Sequence, residues 1–264
     1  MKNNAFETHG IEHLSASSIN LYISDPAYWI MKYLFKKEMP GSPAMWRGSV
    51  VDHAIGKYFG MVENQPRKKS LTAVQEDAVK SMGDYYKEEI SKGYEIDIDK
   101  HKKETSLVPQ YIKTAIDHYK QFDEIETYQE KIVFEDKDIP VPIIGYLDLK
   151  YDGVVRDIKT VSRSVAENTY AIKRQVALYG HVLNCVPIVD YIYCTKYKND
   201  VFSYAVYDVE SNVEMLKKGA LGIMKLLSIS DDKNYLASLF LPNLDDWRWG
   251  EEQTKEAKSI WSEK

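Results

Sequence analysis

The chain has 264 residues and a formal net charge of −5, with 44% hydrophobic and 28% charged residues. That length can bury a substantial core, as one large domain or two small ones, and the acidic balance excludes wholesale coating of nucleic acid while leaving room for a local basic groove. Two cysteines, Cys185 and Cys194, make neither a disulfide framework nor a four-cysteine cluster, the opening residues lack the apolar core of a signal peptide, and no apolar run is long enough to span a bilayer, so a reducing cytoplasm is the expected compartment.

In chain order, the first half reads as mostly helical. Ser15 offers a helix cap ahead of Ile19, Tyr22 and Ile23, and Pro26 restarts a helix after Ser24 or Asp25. Residues 39–43 form a linker and 44–59 a second helix; 64–70 is a basic polar loop. Helical periodicity covers 71–90 and 106–122, with a polar loop expected over 93–104. The character changes near Glu130, where 131–134, 141–151 and 154–160 are rich in β-branched residues. A helix follows over 165–183, then strands at 186–196 and 201–209 around a turn at 198–200, and a helix over 212–227. The tail, with Trp247 and Trp249, is polar. This order predicts an α/β core over 128–230, with a mostly helical part over 11–125 wrapped on it and a C-terminal tail over 231–264, together one domain.

The segment 145–160, GYLDLKYDGVVRDIKT, carries the chemistry. Asp152-Gly153 is a strong signal for a two-residue hairpin turn, which needs φ > 0. With that turn Tyr151 pairs with Val154, and counting back sets Asp148 opposite Asp157, with β-carbons roughly 5 Å apart. Lys159 shares the face of Asp157, while Leu147, Leu149 and Ile158 turn to the core. Two facing carboxylates repel, and a divalent cation reverses the sign of that interaction. Asp148 and Asp157, with the Ile158 backbone carbonyl, offer hard oxygen ligands for Mg²⁺ or Mn²⁺; Lys159 would offset charge developing on a phosphoryl group. The bland alternative is a solvated charged hairpin.

Three further segments bear on that choice. His53, in RGSVVDH on a helix, is either a metal ligand or an ordinary histidine of an amphipathic helix. Gln175 and Tyr179 share a helix face and need polar partners if buried, or they form a plain polar edge. Glu130, before the hairpin, either helps hold water at the site or is a surface glutamate.

Together these segments resemble the PD-(D/E)XK nucleases, in the RecB-type branch that includes CRISPR-associated and phage exonucleases. That branch shows a GxxxH-like helix, then GxxD, DxKT and QxxxY. Here stand Gly48 and His53, Gly145 and Asp148, Asp157 with Lys159-Thr160, and Gln175 with Tyr179, in that order, and the resemblance spans about residues 14–183. It implies a restriction-endonuclease-like mixed central sheet flanked by helices. It implies His53, Asp148 and Asp157 as metal ligands, Lys159 as the catalytic lysine, Glu130 as a further site carboxylate, Gln175 and Tyr179 as supports or DNA contacts, and Thr160 as a support for the strand end or a phosphate. The Gly48 to His53 spacing is one residue longer than the pattern. Many members of the branch also hold an iron–sulfur cluster on four flanking cysteines. Here Asp25-Pro26 and the tail tryptophans stand in those regions, so no cluster is expected and aromatic packing of the tail on the N-terminal helices replaces it.

Arg163, three residues past Thr160, is the foremost candidate for a DNA phosphate contact. Arg156, Lys173, Arg174 and the clusters 67–69 and 100–103 are further candidates, and Tyr22, Trp29 and Trp46 could stack on bases if they are not core residues. The expected activity is a metal-dependent DNA exonuclease of recombination, repair or phage DNA processing, in the host cytoplasm if phage-encoded. Its partner is DNA with single- or double-stranded ends, with a homo-oligomer or a recombination protein as further partners and no membrane. The alternatives are a structure- or site-specific endonuclease and a catalytically silent DNA-binding or partner-docking module.

Overall fold

The computed structural model describes residues 4–62, 68–122, 124–151 and 153–262. After a single turn, α1 (Ala5–Thr8), helix α2 (Ala16–Ser24) starts at Ser15, whose hydroxyl accepts from the Ser18 N–H while Ser18 Oγ accepts from the Ser15 N–H. Pro26 opens α3 (Pro26–Trp29), capped by Asp25, which runs into a π-helical turn at Ile30–Leu34. Ser42 caps α4 (Pro43–Phe59) with Pro43 at its first position, and α5 (Leu71–Ser91) follows.

Helix α6 (Ile98–Tyr119) corrects the loop expected over 93–104. Asp97 caps it, accepting from the Lys100 N–H at 2.9 Å, and the polar stretch is helical because two of its residues are buried against partners distant in sequence. His101 stacks on Tyr86, and Glu104 pairs with Arg47 of α4.

The sheet follows. It comprises β1 (Thr127–Asp136), β2 (Ile139–Tyr151), β3 (Val154–Val161), then, after helix α7 (Tyr170–Leu183), β4 (Val186–Cys194) and β5 (Asn199–Ala205), in the spatial order β1-β2-β3-β4-β5. Among the five strands, β3 and β4 pair in parallel, with α7 as the crossover between them, and the other neighbours are antiparallel. Helix α7 begins at Tyr170 under a Thr169 cap, five residues later than the periodicity indicated. Residues 162–169 instead fold over β4 and β5, where the Tyr204 hydroxyl donates to the Val165 carbonyl at 2.7 Å and the Tyr191 hydroxyl to Asn168 at 3.0 Å. Helix α8 (Val209–Leu227) closes the core, and the tail folds into α9 (Lys233–Ser238) and α10 (Glu251–Trp261).

Two apolar clusters clamp the sheet. On one face α2, α7 and α8 bury Ile19, Leu178, Leu216 and Ile223 against Ile143, Leu147 and Val155. On the other, α4, α5 and α6 bury Val51, Met82, Tyr111 and Ile116 against Leu149, Ile158 and Ile192. Leu147, Leu149 and Ile158 are thus all core residues, divided between two faces. The tail packs as expected on the N-terminal helices. Trp249 is buried, meets Tyr28 edge-on, and donates from Nε1 to Asp25 Oδ2 at 2.8 Å, while Trp247 stays exposed. Among the described residues no helix is long and apolar enough to cross a membrane.

Candidate functional site

The hairpin between β2 and β3 forms in the register set by its turn. Tyr151 pairs with Val154, and Gly153 takes a φ of +66°, the left-handed region glycine tolerates. Asp152, the other turn residue, lies outside the described residues. The ladder then stops at Leu149 opposite Arg156, one pair short of setting Asp148 against Asp157. Beyond it β3 leaves β2 but stays with β4 along its whole length, so Asp157 lies beside Val189. The Asp148 carboxylate fills the split, its Oδ2 accepting from the Ile158 N–H at 2.6 Å in place of a ladder bond. Asp157 is buried, and Lys159 Nζ stands 2.6 Å from its Oδ2 as an ion pair.

Behind Asp157, Gln175 Nε2 reaches its Oδ1 at 3.5 Å and donates to the Tyr179 hydroxyl at 3.0 Å. The Tyr179 ring lies where a side chain at position 145 would be, since a Cβ on Gly145 would come 2.6 Å from Tyr179 Cε1. The glycine therefore lets α7 close on β2 and carry its Gln–Tyr pair to Asp157. Thr160 marks the other end of the site. Its hydroxyl and carbonyl accept from Arg47 Nε and Nη2 at 3.2 and 2.9 Å, and Arg47 is buried against Glu104, so Thr160 fastens the strand end to α4.

Helix α4 brings in Asp52 rather than His53. His53 is exposed and, with Ser49, Lys57, Asp77 and Tyr85, lines a shallow hollow between α4 and α5, where partial burial and then the Lys57 charge hold its pKa below the usual imidazole value. Asp52, about 100° back around the helix, accepts at Oδ2 from the Tyr128 hydroxyl at 3.0 Å and from Gln129 Nε2 at 2.9 Å. The same Gln129 nitrogen donates to Asp148 Oδ1 at 3.0 Å. Glu130 takes no part in this group: it accepts from Thr127 Oγ1 at 2.7 Å and acts with Glu126 on the Lys150 side of β2. Arg163 is exposed on the loop after β3, beside Thr160.

Three carboxylates thus converge with one ammonium. Burial, then the Asp157 and Asp52 charges, raises the Asp148 pKa well above the carboxylate range. Burial lifts Asp52 to about 6. Burial works against the Lys159 ammonium, but the Asp157 and Asp148 charges outweigh it and hold its pKa above the ordinary lysine value. Among the described residues no three His, Cys, Asp or Glu side chains close into a ready metal cage, because Gln129 and Lys159 stand between the carboxylates. The donor set nonetheless fits a hard divalent cation: the ligands are oxygens, and Asp52 Oδ1 is buried without a hydrogen bond.

Asp52, Gln129 and Arg47 were not singled out as site residues by the sequence. For Asp52 the signal was present in the extra residue between Gly48 and His53, since four residues after Gly48 comes Asp52. Gln129 gave none: it has a φ of +51° at the third residue of β1, a conformation that costs a non-glycine residue about 1–3 kcal/mol. Of the DNA-contact candidates, Arg156 is buried against Asp190, Arg174 donates to Asn20, and Trp29 and Trp46 are core residues, whereas Arg67 lies outside the described residues.

The family model of the PD-(D/E)XK nuclease superfamily matches residues 13–189. Among solved structures, the crystal structure of a "Putative exonuclease" from Eubacterium rectale aligns over 97% of this chain and 92% of its own with a TM-score of 0.57 at 13% identity, a likeness of fold. A second, SSO0001, aligns over 66% of this chain and 84% of its own at 14% identity, with a TM-score of only 0.33. No curated protein matches the chain.

Proposed function

The chain belongs to the PD-(D/E)XK nuclease superfamily, a family of hydrolases acting on nucleic acid, and from that premise we propose that it is a metal-dependent DNA exonuclease acting as one domain over 1–264. The observation supporting this most directly is the convergence of Asp148, Asp157 and Lys159 at the split between β2 and β3. Superfamily members generally use a divalent cation such as Mg²⁺. When bound, such an ion supplies Lewis acidity at the phosphoryl group and lowers the pKa of water. Asp148, Asp157 and the Ile158 carbonyl would hold it, with Asp52 in the place expected of His53. Lys159 keeps its proton and sets positive charge beside the phosphoryl oxygens as negative charge builds there. Gln175 and Tyr179 orient Asp157, and Arg47 orients the end of β3 through Thr160. Arg163, exposed beside Thr160, would meet a backbone phosphate. The resemblance points to recombination, repair or phage DNA processing as the setting.

End-labelled linear DNA, single- and double-stranded, and covalently closed circular duplex test the reading with Mg²⁺, Mn²⁺ or EDTA. Degradation of linear DNA alone, stopped by EDTA, is expected. Nicking of the circle would make the protein an endonuclease, and no cleavage of any substrate with either metal would refute the enzymatic reading.

A further inference from the structure

Gln129 is the residue that joins two of the three carboxylates, and it does so from a strained backbone. Its φ of +51° interrupts the strand pattern of β1 at the position facing Asp148. The flanking pairs, Tyr128 with Leu149 and Glu130 with Leu147, keep one register, so no inserted residue explains the distortion. Its amide nitrogen donates to Asp52 Oδ2 and to Asp148 Oδ1. The orientation follows from chemistry, because a reversed amide would press its oxygen against two acceptors. One nitrogen with two hydrogens thus ties α4 to β2 at the point where repulsion between buried carboxylates would drive them apart. The Tyr128 hydroxyl, on the preceding residue, donates to the same Asp52 oxygen and leaves Asp52 Oδ1 uncommitted.

We propose that Gln129 is a positioning residue for the cation seat. It fixes the separation and orientation of Asp52 and Asp148 before any cation arrives, and the left-handed backbone is retained because it delivers the amide to both. A residue that holds ligands in this way typically changes metal affinity about 10–100-fold when removed. The proposal rests on the metal-dependent nuclease reading, and its test separates the two.

The informative variant is Gln129→Gly, which removes the amide while glycine accepts the same φ, so the fold is kept. Calorimetric titration with Mn²⁺ alone, without DNA, should show at least about tenfold weaker binding than in the wild-type protein. Cleavage of linear DNA should show a lower kcat with KM nearly unchanged. Gln129→Glu puts an acceptor where the donor stood; its metal-free melting temperature should fall at pH 8 and recover on adding Mn²⁺. Equal Mn²⁺ affinity and equal kcat in Gln129→Gly would overturn the proposal and leave the nuclease reading standing, as would a lowered melting temperature with unchanged affinity. A wild-type protein that binds no Mn²⁺ would overturn both.

Discussion

Arg156 and Asp157 are neighbours on β3, point to opposite faces, and enter two buried clusters of charge built on opposite terms. On the α6 side, Asp190 accepts from Arg156 Nη1 at 2.9 Å to both oxygens, from the Tyr119 hydroxyl at 3.0 Å and from Ser203 Oγ at 2.5 Å, with His118 3.7 Å away. The guanidinium lies on the Phe122 ring at 4.1 Å. That carboxylate is satisfied: burial alone would raise its pKa, but His118, Arg156 and Ser203 outweigh burial and hold it below the usual value. In the other cluster, which Asp52 joins from α4, three carboxylates share one ammonium, and the buried Asp52 Oδ1 lacks a hydrogen bond. A buried ion pair is weak evidence of function, because a balanced one serves the fold as well. Burial left short of positive charge marks the side that awaits a ligand.

The same kind of substitution should therefore act differently in the two clusters. Asp157→Ala and Lys159→Ala should lower kcat for DNA cleavage about a thousandfold or more; Asp157→Ala should keep a melting temperature near that of the wild-type protein, whereas Lys159→Ala, which leaves the buried carboxylates without their ammonium, should lower it in EDTA. Full activity in either would remove the residue from the site. Asp190→Ala leaves the buried Arg156 unpaired and should cost about 3–5 kcal/mol of stability, read from urea midpoints. Its activity per folded molecule should change little, and strong loss of activity with intact stability would break the contrast.

The two faces were not equally legible in the sequence. Asp148, Asp157 and Lys159 lie in one hairpin whose turn fixes the register, so local rules bring them together. The rules failed one step later, where β3 leaves β2, because that departure is decided by pairing with β4, whose partners lie 32 residues away in the chain. The polar stretch before Ser106 read as a loop because nothing local says that Glu104 meets Arg47. Arg156 read as a DNA contact because its partner Asp190 lies on another strand. Gln129 was invisible because strand propensity encodes no left-handed residue.

Acidity separates the clusters further. Asp52 has a folded-state pKa of about 6, above an unfolded value near 3.9. Between those values the folded state binds more protons than the unfolded one, so stability in EDTA falls as pH rises from about 4 to 6. The Asp52 contribution at pH 7 is on the order of 2–3 kcal/mol unfavourable, and Asp148, also raised, adds in the same direction. Asp190 has the opposite sign: its contribution is present above the unfolded value and is lost as pH falls through its lower folded value. Wild-type minus Asp52→Asn stability, measured from pH 8 to pH 4 in EDTA, should therefore rise as pH falls, and saturating Mn²⁺ should abolish the slope. A flat difference would mean that burial does not hold the Asp52 carboxyl above its unfolded value.

The smallest effects bear on the helix that carries Asp52 and His53. The family pattern has a histidine four residues after its glycine, and here that position is Asp52. His53 is turned to the hollow between α4 and α5. Asp52→Ala should weaken Mn²⁺ binding about 10–100-fold, whereas His53→Ala, an exposed change, should alter stability by no more than about 0.5 kcal/mol and leave binding unchanged. Asp52→His tests whether the helical position or the carboxylate matters. An imidazole there could still accept from Tyr128 or Gln129 and offer its other nitrogen to a cation, so partial recovery over Asp52→Ala would assign the role to the position. If His53→Ala instead loses metal affinity and Asp52→Ala does not, α4 must turn by one residue in the loaded protein, and Gln129 would then hold Asp148 alone.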